Sequence, residues 1–189
     1  LAAIANDLHA VCARVDQDVG VRVTLTAGGT RVVVGRSLPP VPQPFRCATR
    51  MFVPPPWLDG TVKHVSRAYS RTAVRDADVD EVIWIDAEGC LLEGTRSNLF
   101  AVRDGVLLTP PLDGRILAGV TREALLDAAD DAGIPVQLRP IHKGEALDEL
   151  YASSTLKELT GIDELDGVEA PGAGPIGQTV TAAFRSAIQ

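Results

Sequence analysis

From Glu81 to Pro111 the chain reads EVIWIDAEGCLLEGTRSNLFAVRDGVLLTPP, three short apolar runs set around the turns Ala87-Glu88-Gly89 and Asp104-Gly105. Runs this short, joined by glycine turns that accept positive φ, pair with their neighbours in sequence, so the middle of the molecule is expected to be an antiparallel meander. Gly119 to Gly133 then places Val120, Ala124, Leu125, Ala128 and Ala129 on one helical face and ends on glycine, the clearest helix in the chain. Strands that pair in order, with helices between and after them, predict an α+β fold of mixed and antiparallel strands with packed helices rather than a doubly wound parallel sheet. No G-x-G-x-x-G joins a strand to a helix and no G-x-x-x-x-G-K-[ST] occurs, which excludes those two nucleotide loops.

The flanking segments fill in the pattern. LAAIANDLHAVCARV carries Leu1, Ile4, Leu8, Val11 and Cys12 on one helical face, and it begins without a cap or an initiator methionine, as a chain entered in mid-structure would. VRVTLTAGG and TRVVVGR alternate and meet at Gly28-Gly29, a hairpin signal. Phe45 to Val53 is extended between two proline-rich breaks, and Pro54-Pro55-Pro56 is the candidate boundary between two halves. Helical spacing runs from Lys63 to Ala77. Beyond Gly133 the chain predicts a strand over Val136 to Ile141, a short helix around Glu145 to Glu149 and a strand over Leu150 to Ser153. A polar turn, a surface connector from Glu169 to Gly177 and a helix from Gly177 to Ile188 follow.

Composition narrows the function classes. With 46% hydrophobic and 23% charged residues, a chain of 189 residues can bury a sizeable core. The net charge of −7 is spread over separated acids, with clusters at Asp76 to Glu81, Asp127 to Asp131 and Asp163 to Asp166. It reads as solubility and disfavours nucleic acid as a partner. No apolar run approaches the ~20 residues of a membrane span, so no membrane partner is expected and the cytoplasm is the expected location. Cys12, Cys47 and Cys90 are too dispersed for a disulfide framework or a zinc site, so no metal is expected.

Four places could carry chemistry. Lys63 follows a proline-rich loop containing Trp57, and its neighbours Val62, Val65 and Ala68 are apolar enough to cover part of its stem. Burial and a nearby cation such as Arg67 make a lysine amine a better nucleophile toward carbonyls, although most lysines are simply solvated. Glu93 lies between apolar strand residues, where a buried carboxylate needs a cationic or protonated partner; an exposed glutamate beside a glycine bulge is the plainer reading. Gly119, Val120 and Thr121 begin the clearest helix, whose free N–H groups suit an anion, and Ser153-Ser154-Thr155 offers hydroxyls in a turn; each feature alone is commonplace.

Taken together and in order, these segments resemble the class IV aminotransferases, the fold-type IV pyridoxal-phosphate enzymes. The resemblance rests on TVKHVSR, on EGTRSNLF followed by DGVLLTPPLDGRILAGVTRE, and on LYASSTLKEL, with about 30 residues between Lys63 and Glu93, and it covers essentially the whole chain. It implies pyridoxal 5'-phosphate as cofactor. Lys63 would form the Schiff base and shuttle the substrate proton, and Glu93 would keep the pyridine nitrogen protonated. Leu117 would pack on the ring, while Gly119, Val120 and Thr121, with Ser154 and Thr155 opposite, would hold the phosphate. Ser97 and Asn98 would support the Glu93 strand and line the pocket.

The same resemblance implies a homodimer and a division of the chain. Residues 1–53 would be the remainder of an N-terminal small domain, 54–62 an interdomain loop and 63–189 the cofactor-binding domain. Family members have a further N-terminal portion that gives an arginine to the phosphate, and this chain starts after that portion would end. Where relatives carry an arginine before the hairpin glycine this chain has Ala27, and the position five after the lysine, a tyrosine in branched-chain enzymes, is Ala68.

Three functions follow from the resemblance. The first is an aminotransferase moving an amino group between an amino acid and a 2-oxo acid; EGTRSN and SSTLKE are similar to the D-amino-acid and mixed-specificity members. The second is 4-amino-4-deoxychorismate lyase, which makes p-aminobenzoate and pyruvate in folate biosynthesis, for which Lys63-His64 with Arg67 speaks. The third is a non-catalytic homologue that keeps the fold; retention of Lys63, Glu93, Thr121 and Thr155 together speaks against it.

Overall fold

A computed structural model describes residues 2–38, 40–53 and 59–188. Within the connection expected at 54–62, residues 54–58 lie outside the described residues. The chain divides into two compact units, Leu1–Val41 and Pro42–Gln189.

In the smaller unit, α1 (Ala2–Cys12) accompanies a hairpin of β1 (Val19–Leu25) and β2 (Arg31–Ser37), paired from Val19 opposite Ser37 to Leu25 opposite Arg31. The turn closes at the expected glycines. Thr26 N–H donates to Thr30 O at 2.9 Å, and Gly29 takes φ 84°, a left-handed value that favours a residue without a Cβ. No residue of α1 is buried; an ion pair, Arg31 Nε to Asp7 Oδ2 at 2.7 Å, ties the helix to the hairpin.

The larger unit is built on a mixed sheet. Its strands are β3 (Arg46–Met51), β4 (Glu81–Ile85), β5 (Cys90–Gly94), β6 (Asn98–Arg103), β7 (Val106–Thr109), β8 (Val136–Leu138), β9 (Ile141–His142), β10 (Glu149–Ser154), β11 (Glu158–Gly161), β12 (Glu164–Leu165) and β13 (Val168–Glu169). Along its main path the order is β11-β10-β6-β5-β4-β3-β12-β13; β7 pairs with β6 and β8, and β9 with β5. Most pairs are antiparallel, but β3 lies parallel to both β4 and β12, and β7 parallel to β8. Three helices belong to this unit: α2 (Ala68–Ala77), α3 (Val120–Asp131) and α4 (Pro175–Ala187). The larger unit thus has the expected α+β architecture.

Of the differences from the sequence reading, four have a local reason. The meander has four strands, not three, because Gly94 N–H donates to Ser97 O at 2.7 Å and folds the middle run on itself. Helix α2 starts at Ala68 rather than at Lys63. Asp59 captures Thr61 N–H (2.8 Å) and Thr61 Oγ1 (2.6 Å), and its carbonyl accepts from Val62 N–H, so side-chain and turn bonds compete with the first helical turn. The strand expected at 136–141 breaks into β8 and β9 at Pro140, which has no N–H to continue a ladder. The short helix expected at 145–149 is absent. Glu145 turns back to Arg139 and to His142 N–H, Asp148 N–H donates to Val102 O, and Glu149 already belongs to β10.

Among the described residues, two buried clusters hold the unit together. One gathers Phe100, Val102, Leu107, Leu125, Ala128, Ala129, Tyr151, Val180 and Phe184, packing α3 and α4 on β6, β7 and β10. The other joins Ala73 of α2 to Val82, Trp84 and Leu92 of β4 and β5, with Ile116. At roughly 1.5–3 kcal/mol per fully buried large side chain, these contacts fix the strands that carry the site.

Candidate active site

A cavity of about 320 Å³ opens at the α2 side of the sheet, and Lys63, Arg67, Tyr69, Trp84, Glu93 and Leu117 are among its walls. One wall is aromatic. Trp84 on β4 stacks with Phe52 (4.8 Å between centroids), and Tyr69 on α2 with Phe52 (5.6 Å). Lys63 reaches the cavity from the loop before α2. Its expected cover is missing, because Val62 and Val65 are exposed, Val65 at 84%. The amine therefore meets the cavity from a solvent-facing loop.

Glu93 stands at the end of β5, opposite Asn98 of β6. Its Oε2 accepts from Leu117 N–H at 3.0 Å and from Asn98 Nδ2 at 3.3 Å, while Asn98 Nδ2 also donates to Leu117 O at 2.8 Å. Burial pushes this carboxyl up to about 7, against the pull of the Leu117 N–H and of the Arg67 and Lys63 charges. A half-buried carboxylate held in this way is suited to a protonated ring nitrogen.

The anion-binding candidates form a second group. Gly119 caps α3 with no side-chain bond, so the N–H groups of the first turn are not taken by a capping side chain. Val120 is 74% exposed, Thr121 is buried, and Thr121 Oγ1 lies 3.3 Å from Thr155 Oγ1 in the turn after β10. Ser154 ends β10, half-buried. Arg122 anchors this helix start from below, with Nε on Thr109 Oγ1 (3.2 Å) and a terminal nitrogen on Pro110 O (3.0 Å). Asn98 links the two groups, since a Cβ added at Gly119 would collide with Asn98 Oδ1. Neither Ser97 nor Asn98, both expected to line the pocket, is among the cavity walls; Asn98 acts on Glu93 from behind, and Ser97 makes no such contact. Its Oγ is buried without a hydrogen-bond partner and lies where a Cβ on Gly94 would be.

The sequence reading passed over Glu81, which it placed in a solvated acidic cluster. Glu81 is fully buried. It accepts from Thr95 Oγ1 and from Arg96 N–H (2.9 Å), and Lys157 Nζ donates to its other oxygen at 2.6 Å. The signal that could have found it is position, because Glu81 is the first residue of a strand that is apolar on both faces.

A lysine amine and a carboxyl raised by burial share one cavity, and a helix start with two facing hydroxyls is joined to them through Asn98. This donor set fits a group that carries an aldehyde, a basic ring nitrogen and a phosphate. A model of the amino-transferase class IV family matches residues 1–165. A probable branched-chain-amino-acid aminotransferase of Synechocystis is 34% identical over 115 residues, covering 60% of this chain and 38% of that protein. A D-alanine aminotransferase of Bacillus licheniformis is 28% identical over 139 residues, covering 70% and 49%. The T.th. branched-chain amino acid aminotransferase, complexed with N-(5'-phosphopyridoxyl)-L-glutamate, superposes with a TM-score of 0.66 at 27% identity, covering 76% of this chain and 51% of that one. The chain thus spans about half or less of the length of these relatives.

Proposed function

The chain belongs to the class IV aminotransferase family, and on that premise we propose that its larger unit holds pyridoxal 5'-phosphate for transamination between an amino acid and a 2-oxo acid. The observation that carries this is the meeting of Lys63 and the burial-raised Glu93 in one cavity. When bound, the cofactor supplies an electron sink for the substrate α-carbon. The chain's own residues do the rest. Lys63 would bind the cofactor's aldehyde carbon through its Nζ and would carry the proton to and from the substrate carbon. Glu93, whose Oε2 is oriented by Asn98 and the Leu117 N–H, would hold a proton on the cofactor's ring nitrogen. Leu117, in the cavity wall, would cover a face of the ring. The N–H groups of Val120 and Thr121, with the Thr121, Ser154 and Thr155 hydroxyls, hold the phosphate at the start of α3. Ser97 supports the turn after Glu93.

Similarity to both a branched-chain and a D-alanine aminotransferase supports a substrate with an apolar side chain, for which the Phe52, Tyr69 and Trp84 wall is suited. A homodimer and a cytoplasmic location belong to the same reading, as does a division into a small and a cofactor domain, with the boundary at Val41 and Pro42 rather than within 54–62 because β3 pairs with β4 and β12 in the larger unit. Adding pyridoxal phosphate to the full-length protein is expected to give a visible absorbance band that Lys63→Ala abolishes. D-Alanine or L-leucine is expected to discharge the band, and a band that survives in Lys63→Ala sinks the assignment. The second reading, 4-amino-4-deoxychorismate lyase, is favoured by His64 and Arg67, which both line the cavity. Release of pyruvate and p-aminobenzoate from aminodeoxychorismate without a 2-oxo acid acceptor would establish it.

A further inference from the structure

We propose that Glu81 is a positioning residue that sets the distance between the two halves of the cofactor site, with Lys157 as the strut between them; the inference rests on the function proposed above. The two halves belong to different turns. Glu93 is followed by the turn Gly94 to Ser97, and Thr155 begins the turn that leads from β10 into β11. Glu93 and Thr155 lie 62 positions apart in the chain, and the β6–β10 ladder, with Asn98 opposite Ser153, brings their turns to the same end of the sheet without fixing the side chains that leave them.

Glu81 bridges them. Its Oε1 takes Thr95 Oγ1 and Arg96 N–H, the second and third residues after Glu93. Its Oε2 takes Lys157 Nζ at 2.6 Å, two residues after Thr155, with Arg96 Nε at 3.6 Å as a second cation. The turns press on the carboxylate closely, for a Cβ added at Gly94 would lie 3.1 Å from Glu81 Cγ. Lys157 is fixed on all sides. Its ammonium sits 4.5 Å from the centre of the Phe45 ring, its N–H donates to Ser154 O at 3.1 Å, and its carbonyl accepts from Thr160 Oγ1 at 2.9 Å.

A buried ion pair adds little net stability, because desolvation offsets attraction, but it permits few geometries. The Glu81 pair spans the ring-nitrogen side and the phosphate side of a single ligand. Its effect is to hold Thr155 where a phosphate can be reached by a ring already seated at Glu93. It touches neither the ring nor the phosphate, and acts through Thr95, Ser154 and Thr155.

The test compares two ligands in the full-length protein, pyridoxal phosphate and pyridoxal, which lacks the phosphate. Both affinities are read by quenching of tryptophan fluorescence in a Trp57→Phe background, which leaves Trp84 of the cavity wall as this chain's reporter, so no turnover is needed. Lys157→Met is expected to weaken pyridoxal phosphate by roughly tenfold or more while leaving pyridoxal unchanged, so that the affinity ratio falls. Glu81→Gln, which also frees the Thr95 turn, is expected to weaken both, and pyridoxal phosphate the more, so that the ratio falls there as well. Should either variant fail to fold, the uncharged pair Glu81→Leu/Lys157→Met is expected to fold and to show the same fall in ratio. A lowered melting temperature with an unchanged ratio in any folded variant overturns the inference and leaves the pair a packing feature. Absence of a Lys63-dependent band in the unaltered protein overturns the functional reading itself, which this comparison detects separately.

Discussion

Glu93 shows how a single residue can be legible in a sequence while its electrostatics are not. Its place in EGTRSNLF marks it, but only the fold shows that Asn98 and the Leu117 N–H share one of its oxygens while burial raises its carboxyl from an ordinary 4.5 to about 7. The folded protein therefore keeps a proton that the unfolded chain releases between those two values. Without cofactor, stability from this group is lost as pH rises through that window. Glu93→Gln is expected to flatten that slope in thermal melts between pH 5 and 8, and equal slopes in the two proteins would refute the assigned burial. Glu81 is the opposite case. In DADVDE it resembles one more surface acid, and it becomes visible only when β4 places it between two turns distant in sequence. A carboxylate recognised by its partners cannot be read where its cation lies 76 positions away.

At the scale of elements, those that depend on local signals were legible: the hairpin at Gly28-Gly29, α3 with its glycine end, and β3 between prolines. Those that depend on distant partners were not. The hairpin of β12 and β13 exists because β12 pairs with β3, and no periodicity in two-residue strands announces it. The start of α4 at Pro175, two residues before its expected start, has a similar cause. Glu149 on β10, buried, accepts from Ile176 N–H (2.9 Å), Gly177 N–H (2.8 Å) and Tyr151 Oη (2.6 Å), so a strand carboxylate caps the helix. Glu149→Ala is expected to cost on the order of 3 kcal/mol in urea unfolding, because three buried donors lose their acceptor. Gly177→Ala is expected to cost about 1–3 kcal/mol, since its Cβ would collide with the Tyr151 ring and hydroxyl. A loss below about 0.5 kcal/mol in either variant would mean that this end of α4 rearranges freely.

For the whole molecule, the α+β architecture with its mixed and antiparallel strands and the order of the motifs followed from the sequence, whereas the identity of the strands that pair in parallel did not. Parallel pairs join segments that local alternation cannot relate. Among the described residues, the buried hydrophobic ones all lie at or beyond Phe45, within the unit Pro42–Gln189. A chain beginning at Pro42 is accordingly expected to keep a cooperative thermal transition and its far-ultraviolet spectrum, and a broad, non-cooperative melt would show that the core depends on residues before it. The parallel seam between β3 and β12 also bears on how the protein is made. Arg46 and Cys47 pair with Glu164 and Leu165, and Asp163 Oδ2 receives the Phe45 N–H at 2.7 Å. At ribosomal speeds of about 5–20 residues per second, one side of β3 waits several seconds or longer for its partner to emerge. During that interval the nascent chain offers an open strand edge to any other chain, so the interior of this sheet begins its life as the surface that a chaperone would have to guard.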